Sequence, residues 1–600
     1  MAEDILYRPR DIYEKMLKRQ FHDGAEDYFE KLAKESGVDR AGNAVHVKAY
    51  NEAKSSSDAA KKKYGRVHGW GIFLIVMTII GFVLGVVGLI ARSPSFLLII
   101  GIIGIVLGIV CLILRLTLIR NKLKVLKTEA ASAEEAARKK YQVCLEDMVP
   151  LNNLFDWNMP QKIMDEAIEI LKIDPYFKPA RLKMMMDRFG MKEETDPFTS
   201  VVGVTSGEIN GNPFLLERVL VHDVHDKAYV GSIVITWTTT SRDSQGHLTT
   251  QTHTQTLTAT TFHPAPFYNY ETRLIYANEA APRLSFSRYP SGVSGKSEKE
   301  IEKYVKSKSK DLDKKEKKSI GKESSFTKMG NVEFDALFGA DDRNNEVEFR
   351  LLFTPLAQTN EVDLIKNAEP FGDDFVFVKD KMINSIASAH SQNFDYSQDP
   401  NLFRSHSFEE SHQKFVSYCD AFIKNLYFDL APLLSIPLYQ MHKSTDYIYN
   451  NDYPTNITSF EHEAMVNSMD PELFRPKKAD PSLPVVLKQV GGQRNGEDSD
   501  LITVSGLSYI ATPRVEFVSK VGGDGHVHQI PIHWVEYTEV KQDKGVEVGF
   551  VGASNKSYLS LLNGSLKSAF VNGKMSHYER GLLSFIDGIT AFGKVKKEFK

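Results

Sequence analysis

Two apolar runs near the start of the chain constrain its fold more than any other feature. They span residues 69–91 and 96–114, and neither contains a charged side chain. Each run has the length that an α-helix needs to cross the hydrocarbon core of a bilayer. A backbone in hydrocarbon must satisfy its own hydrogen bonds, so both runs are predicted to be helices. Because the connection Arg92-Ser93-Pro94-Ser95 is short, the two helices are predicted to form an antiparallel hairpin.

Glycines at helical spacing occur in both runs. Gly81 and Gly85 lie in the first run, and Gly104 and Gly108 lie in the second. Small residues four positions apart let helix backbones approach closely in lipid, where there is no hydrophobic drive between helices. Two interpretations stay open, packing within the hairpin and association between copies of the chain. Neither run contains an ionisable residue, which argues against a transport or proton-relay role.

Basic residues crowd the outer ends of the predicted hairpin. The connecting loop contains only Arg92. The flanking residues are Lys61, Lys62, Lys63 and Arg66 before the first run, and Arg115, Arg120, Lys122, Lys124 and Lys127 after the second. The positive-inside rule places such flanks in the cytoplasm. The chain is therefore predicted to be a multi-pass protein of the cell membrane with both termini in the cytoplasm.

Cysteine usage favours the same side of the membrane. Cys111, Cys144 and Cys419 are sparse and odd in number, which argues against a disulfide framework and for a reducing compartment. The N-terminal segment lacks the apolar core of a signal peptide, so the first apolar helix is expected to act as an internal signal. A net charge of -3 gives no general nucleic-acid footprint, so no nucleic-acid partner is expected.

The chain is too long for one hydrophobic core, and its patterning predicts a multi-domain α+β protein. N-terminal helices with a transmembrane helical hairpin are expected first, and β-rich and α/β cytosolic segments after them. The predicted domains are N-terminal cytosolic helices at 1–67, the hairpin at 68–120, a juxtamembrane helical region at 121–195, a β-rich domain with a Thr-rich hairpin at 196–291, a Lys-rich linker at 292–325, an α/β segment at 326–480, and a C-terminal β-rich segment with a final helix at 481–600.

Periodicity predicts individual elements within these domains. Leu123, Ala130, Ala137 and Cys144 recur every seven residues, which indicates a short coiled-coil seam against the helix that leads into the membrane, or else a plain juxtamembrane helix. Lysines outnumber acidic residues in the linker, which favours a solvated helix or a flexible tether. Further strands are predicted at 229–237, 248–262, 347–353, 375–378, 502–517 and 529–540, and further helices as a pair over 160–190 and at 355–366, 382–390, 415–434 and 576–592.

The stretch from Phe334 to Pro355 resembles a family of uncharacterised bacterial integral membrane proteins with two membrane helices, a domain of unknown function. The family text reads approximately F-x-V-x-x-x-D-x-x-E-A-R-x-L-L-T-P. The corresponding residues here are Phe338, Asp341 or Asp342, Glu346, Phe349, Leu351, Leu352, Thr354 and Pro355. The resemblance covers residues 60–130 and 325–390, and the Thr-rich hairpin and the C-terminal part depart from it. It implies a bacterial, membrane-anchored protein with no assigned activity, and it carries over no catalytic residue.

A histidine cluster in the C-terminal segment is the strongest metal candidate. His526 and His528 alternate on a predicted strand, so their imidazoles would share one face. His533 could add a third ligand if the strand bends at Pro531. Solvated or capping histidines beside the turn 522–525 are the alternative interpretation.

Other constellations carry weaker signals. His222 and His225 would chelate an ion only in a loop, because a strand points them to opposite faces. His247 and His253 share parity but lie too far apart for one ion. The carboxylate pairs Asp341-Asp342 and Asp373-Asp374 suit acid/base or metal roles as well as turns and helix caps. No nucleophile, zinc-protease or phosphate-loop motif is present, and the sequence names no cofactor.

Two functional hypotheses follow. The first is a membrane-anchored cytosolic platform without catalysis, whose partners are the lipid bilayer and either another protein or further copies of the chain. The second is a membrane-bound, metal-dependent hydrolase that uses His526, His528 and His533. The absence of a reaction motif favours the first hypothesis.

Overall fold

The computed structural model describes most of the chain. The described residues are 8–90, 95–174, 177, 179–192, 195–242, 248–319, 326–369, 371–441, 443, 458–467, 469–495, 499–552, 583–586 and 589–595.

Helices and antiparallel strands make up the described residues, in keeping with the predicted α+β class. The α-helices are α1 Pro9–Ile12, α2 Lys18–Ser36, α3 Arg40–Ile90, α4 Ser95–Leu114, α5 Arg120–Asn152, α6 Met159–Ala167, α7 Pro179–Asp187, α8 Glu298–Ser319, α9 Val332–Phe338, α10 Glu346–Leu352, α11 Pro355–Lys366, α12 Phe408–Leu434 and α13 Ser459–Asn467. The strands are β1 Leu171–Ile173, β2 Thr199–Ile209, β3 Asn212–Arg242, β4 Leu248–Ala277, β5 Ser285–Arg288, β6 Phe375–Asp380, β7 Ile383–Ser388, β8 Val486–Asn495, β9 Ser499–Val521, β10 Val527–Gly552, β11 Leu583–Ile586 and β12 Ile589–Val595.

The chain divides into two compact units. The helical unit contains residues 20–163 and 398–421, and the sheet unit contains residues 1–19, 164–397 and 422–600.

In the helical unit, the helices that flank the apolar runs pack against each other. Of the predicted seam residues, Ala130, Ala137 and Cys144 are buried and Leu123 is half-buried. Polar contacts also join α3 to α5: Lys61 pairs with Glu134 at 2.7 Å, and the Nδ1 of His46 lies 2.7 Å from a carboxylate oxygen of Asp147. The prediction that α5 packs on the helix that leads into the first apolar run is confirmed, because the residues of the apolar seam are buried between the two helices.

An aromatic core closes the other end of the helical unit. Phe29 of α2 contacts the rings of Phe155, Phe408 and Phe415, with centroid distances of 5.4–6.3 Å. Ala25 and Phe29 are buried on one helix face, because residues four positions apart in a helix lie on the same side. Aromatic pairs at such distances add stability beyond the area they bury.

The sheet unit contains two antiparallel sheets. The first has the order β1-β2-β3-β4-β7-β6-β5, and the second has the order β11-β12-β10-β9-β8. Strands β3 and β4 pair over almost their whole length, from Phe214 with Tyr276 to Arg242 with Leu248. The predicted strands 229–237 and 248–262 of the Thr-rich hairpin are therefore confirmed, and residues 243–247 between them lie outside the described residues.

Three element predictions in this unit are wrong. Residues 347–353 were assigned to a strand because β-branched and aromatic residues dominate, but 346–352 form α10. The side chain of Asn345 caps α10 by accepting a hydrogen bond from the amide of Glu348. Acidic residues at the start of this helix and Arg350 at its end favour it electrostatically, and these signals outweigh the strand propensity.

The other two corrections replace helices with strands. Residues 382–390 were predicted to be helical, but 383–388 form β7, in which every second residue is buried. The final helix predicted at 576–592 is replaced by β11 and β12 over its described residues. The predicted α/β character of 326–480 also needs correction, because β6 and β7 pair antiparallel instead of through a crossover.

The remaining element predictions agree with the structure. Helix α11 has the predicted bounds, α12 contains the predicted 415–434, and β6, β9 and β10 contain the predicted strands. The Lys-rich segment forms a helix, α8, over 298–319, so the tether interpretation does not hold there. The helical pair over 160–190 corresponds to α6 and α7, with the short strand β1 between them.

Candidate functional site

The two long hairpins of the sheet unit extend beyond their sheets and pack on each other. Strand β2 pairs with β3 only as far as Val221, and β8 pairs with β9 only as far as Leu507. Beyond these points, each hairpin has only its own two strands among the described residues. We call this four-stranded region the arm, and it comprises residues 222–242 and 248–268 of the first hairpin with 508–521 and 527–540 of the second.

A small apolar interior holds the two hairpins of the arm together. Ile235, Leu257 and Ile530 are buried there. Gly231 is the closest approach, because a Cβ at this position would collide with the carbonyl oxygen of Pro531. A glycine that gives two backbones this proximity cannot be replaced by any larger residue without moving one hairpin.

Polar contacts add to this packing. The imidazole of His263 stacks on the indole of Trp534 with ring centroids 3.7 Å apart. Its Nε2 lies 3.0 Å from a carboxylate oxygen of Glu516. Lys520 Nζ donates to the carbonyl of Thr258 at 2.8 Å. These contacts fix the first hairpin on the second at positions spread along the arm.

The central stretch of each outer face of the arm lacks formally charged side chains, which return at its ends with Asp226 and Arg242 on the first hairpin and Glu539 on the second. Successive residues of a strand point to opposite faces, so every second residue of the arm faces outward. On the first hairpin the outward residues form what we call the threonine face. Its six cross-strand pairs are Val230/Thr260, Ser232/Thr258, Val234/Thr256, Thr236/Thr254, Thr238/Thr252 and Thr240/Thr250. All twelve of these residues are exposed.

The outer face of the second hairpin is more hydrophobic, and we call it the apolar face. Val521 and Val527 are each 64% exposed and Phe517 is 63% exposed, values unusual for large apolar side chains in a folded protein. The five cross-strand pairs of this face are Val527/Val521, Gln529/Ser519, Pro531/Phe517, His533/Val515 and Val535/Pro513. Contiguous exposed apolar surface of this kind marks interaction sites in soluble domains.

The structure does not assemble the predicted three-histidine metal site. The pairing of β10 with β9 runs without a break through Pro531, so the strand has no bend there. His533 therefore stays on the apolar face, opposite to His528. The Nε2 of His528 lies 2.9 Å from Asp524, which acts as its partner instead of a metal. No group of three potential ligands that could hold a metal ion occurs among the described residues.

The other predicted histidine pair is also divided between faces. His222 is buried among the rings of Phe198, Tyr268 and Tyr509. Burial lowers the pKa of His222, and neither ring nitrogen has a hydrogen-bond partner in the described part of the chain. His225 stacks on another ring outside this group. His253 accepts or donates a 2.7 Å hydrogen bond with a threonine, and His247 lies outside the described residues.

The paired carboxylates are used within the fold. Asp341 forms an ion pair with Lys315 at 3.1 Å, and Asp342 accepts a hydrogen bond from the amide of Ser287. Asp373 pairs with the guanidinium of Arg288, and both side chains are fully buried. Asp374 contacts His390. Each carboxylate thus already neutralises or orients a neighbouring group.

A buried network around His390 was missed by the sequence interpretation. The imidazole Nδ1 lies 2.8 Å from Asp374, and Nε2 lies 3.2 Å from the carbonyl of Asn425 and 3.4 Å from Asp429. Both ring nitrogens thus face only acceptors, which requires two donors and a protonated ring. The hydroxyls of Ser391 and Tyr396 donate to Asp429. No local motif signals this network, because its members come from the residue before β6, the segment after β7 and α12.

Electrostatics agree with that protonation state. Burial alone would lower the pKa of His390, but the hydrogen bond to Asp374 and the charge of Asp429 outweigh it and raise this pKa. Burial raises the pKa of Asp429, and His390 opposes that shift. The hydroxyl of Ser391 is fully buried and points at a carboxylate, so it is not arranged as a nucleophile.

The helical unit contains an open groove of about 880 Å³. Short polar side chains such as Asn43, Ser55 and Ser407 line it. The guanidinium of Arg40 at its edge stacks over the ring of Phe408 at 4.2 Å and pairs with Glu30. Lys48, Glu52 and Glu409 are the other charged residues of its lining.

The predicted packing glycines meet each other in the helical unit. A Cβ on Gly81 would lie 2.5 Å from the carbonyl oxygen of Gly104, and one on Gly108 would lie 3.2 Å from that of Thr78. A Cβ on Gly85 would collide with Ile105. All four glycines therefore serve contact between α3 and α4.

Two stretches of helix in the described part of the chain, Arg40–Val87 and Gly101–Asn152, contain a segment long and apolar enough to cross a membrane. Like the arm, both expose large apolar side chains. Comparisons of the chain with protein-family models, with curated proteins and with solved structures find no match.

Proposed function

We propose that this protein is a membrane-anchored, non-catalytic platform that presents the arm to a protein partner in the cytoplasm. Helices α3 and α4 would cross the bilayer as a hairpin, with both termini on the cytoplasmic side. The observation that carries the proposal is the pair of outer faces on the arm, uncharged at their centres, joined in one chain to a glycine-packed apolar hairpin.

The outer surface of the hairpin supports the anchor. Apart from the glycine contact, its large side chains point away from the protein, with Ile79 57%, Val83 56% and Ile103 61% exposed. Exposing this apolar surface to water would cost free energy, whereas the hydrocarbon core of a bilayer would cover it. The lysines and arginines at the outer ends of the hairpin set its proposed sidedness.

The buried polar groups of the sheet unit support a non-catalytic role. The Arg288–Asp373 pair and the His390 network use their polar atoms on one another, with side chains at most 5% exposed for Arg288, Asp373, His390 and Asp429. A substrate could reach such groups only if the surrounding fold opened. The exposed surface of the arm offers contact area instead of a reactive cleft.

Membrane retention tests the anchor. Val83→Arg with Ile103→Arg would place two charges in the apolar stretches, each costing roughly 2.5–3.5 kcal/mol at the centre of a bilayer. We expect carbonate to release this double variant from membranes that retain the parent chain. Val45→Arg, on an exposed part of α3 outside the apolar run, is the matched control and should stay membrane-bound.

Sidedness is tested by labelling intact cells with an impermeant maleimide. A cysteine introduced as Ser93→Cys should react from outside, and a cysteine added after residue 600 should react only after lysis. The reverse pattern would refute the proposed topology. Equal reaction of the two positions in intact cells would refute the hairpin itself.

A further inference from the structure

We propose that the apolar face of the arm is a self-association surface, on which the arm of a second copy of this chain docks face to face. The inference rests on the proposed function, because it takes both copies to be anchored in the same membrane. Its central cross-strand pair is Pro531/Phe517, with two further pairs on either side. A two-fold axis through this centre would place each copy's Phe517 beside the central pair of the other copy.

The chemistry of the face argues for an uncharged partner surface. None of its ten residues is Lys, Arg, Asp or Glu. A charged partner surface would lose water there without gaining a pairing group, which costs free energy. A second copy brings an uncharged surface of the same shape, and a two-fold interface places each patch against itself.

The shape of the face suits the packing of one sheet on another. Its side chains are short or β-branched except for Phe517, Gln529 and His533, and the amide of Gln529 donates to the hydroxyl of Ser519 across the two strands at 2.9 Å. Phe517 is the largest apolar side chain of the face and can pack on the short side chains of the facing copy. Two twisted sheets with such side chains pack about 10 Å apart.

The size of the face decides where association occurs. A two-stranded face five pairs long offers on the order of 400 Å² per copy, at about 3.3 Å per residue along each strand. Two copies would then bury roughly 800 Å², below the ~1,200 Å² of specific stable interfaces. Pairing should be weak between free molecules and substantial only where a shared membrane raises the effective concentration. A freely diffusing partner would gain no such help, so the area favours a co-anchored copy.

Disulfide cross-linking in membranes tests the face. Ser519→Cys places a thiol on the apolar face, and Ser232→Cys places one at an equally exposed position of the threonine face. The natural cysteines among the described residues are buried, so the unmodified chain provides the blank. With mild oxidant, we expect Ser519→Cys to form covalent dimers about tenfold faster than Ser232→Cys. Equal rates at the two positions would overturn the proposal.

A charge swap at the centre identifies the partner as a second copy. In the Ser519→Cys chain, Phe517→Glu alone and Phe517→Lys alone should each reduce cross-linking about tenfold, because like charges would meet. Co-expression of the two variants should restore mixed dimers. If the mixture stays as low as the single variants, the occupant is not a second copy. The same pair of changes at Val515 repeats the test if either Phe517 variant folds poorly.

Carbonate extraction of the same membranes separates this inference from the proposed anchor. Chain retained by the membrane without Ser519→Cys dimers overturns self-association and leaves the anchor standing. Chain released by carbonate with dimers still present overturns the anchor and supports the face. Chain released without dimers overturns both.

Discussion

The body of the sheet unit and the arm are built from the same hairpins, yet they are stabilised differently. In the body, which is the sheet unit outside the arm, β3 and β9 have neighbours on both sides. Charged groups are buried there in pairs and networks, as with Arg288 and Asp373. In the arm, each hairpin has only the other, and they are joined by a glycine contact, a few apolar residues and scattered polar contacts.

This difference shows how one pair of hairpins can serve as both scaffold and presenting surface. Buried ion pairs fix the geometry of the body, because a displaced partner leaves an uncompensated charge. The arm has a thin interior and two outer faces that are uncharged at their centres, so it commits few of its residues to its own stability. The remaining outward residues are available to a partner.

The largest expected effect is a loss of stability in the body. Asp373 accepts hydrogen bonds from Arg288, from the hydroxyl of Ser291 at 2.6 Å and from the amide of Gly292 at 2.7 Å. Asp373→Ala would leave the fully buried guanidinium without its counter-ion, at a cost of about 3–5 kcal/mol in the free energy of unfolding. Hydrogen exchange of β5 and β6 in the full chain should rise accordingly.

The matched control is an ion pair of the arm. Arg514 and Glu536 lie 2.7 Å apart, but their side chains are 54% and 44% exposed. Glu536→Ala should cost less than about 1 kcal/mol, because solvent already screens the pair. If the two substitutions changed exchange by similar amounts, the contrast between body and arm would fail.

The next largest effect is a loss of stability in the arm that leaves the body unchanged. Gly231→Ala adds a methyl group against the backbone of Pro531, and overpacking of this kind costs about 1–3 kcal/mol. The lost protection against hydrogen exchange should be confined to the arm, and the circular dichroism of the stacked Trp534 should change. Gly203→Ala in β2 is the control, since a Cβ there meets no atom within 4 Å. Loss of protection that spreads into β6 and β7 would show that arm and body unfold as one.

The helices of the helical unit could be predicted largely from the sequence, because the residue patterns that indicate them are local. Apolar runs, glycine spacing and heptads determine α3, α4 and α5 and the faces they bury. The interpretation failed where β-branched residues sit in a capped helix, as in α10. It failed again at β7, where a helix was predicted but every second residue of a strand is buried.

The candidate site could be predicted only in part. The strands of the arm and their turn chemistry are visible in the sequence, but their face-to-face packing depends on contacts over 250 residues apart, such as His263 with Glu516. The His390 network also depends on contacts between separate segments of the chain, because it joins the end of a strand to α12. The three predicted histidines are not brought together, because parity along an unbent strand, once β10 is paired with β9, separates His533 from His528.

The smallest expected effect is a pH dependence of the stability of the body, and it tests the contrast between body and arm. The folded-state pKa of His390 is raised, so its protonated form is stabilised by folding. That contribution is fully present below the unfolded pKa of about 6.5 and is lost as pH rises through the folded value. The pKa of Asp429 is also raised, which adds a loss in the same direction at lower pH. We therefore expect the stability of β7 and the start of its following turn to fall as pH rises from 6 to 9.

Hydrogen exchange corrected for its intrinsic pH dependence measures this trend. The slope for one group cannot exceed about 1.4 kcal/mol per pH unit, so the change should be gradual. His390→Gln keeps one donor and removes the titration, so the variant should lose the slope above pH 6.5 and be less stable than the parent at low pH. An unchanged slope in His390→Gln would assign the pH dependence to another group. A pH-dependent change confined to the arm would reverse the proposed division, because it would place the titrating charge where packing is thought to dominate.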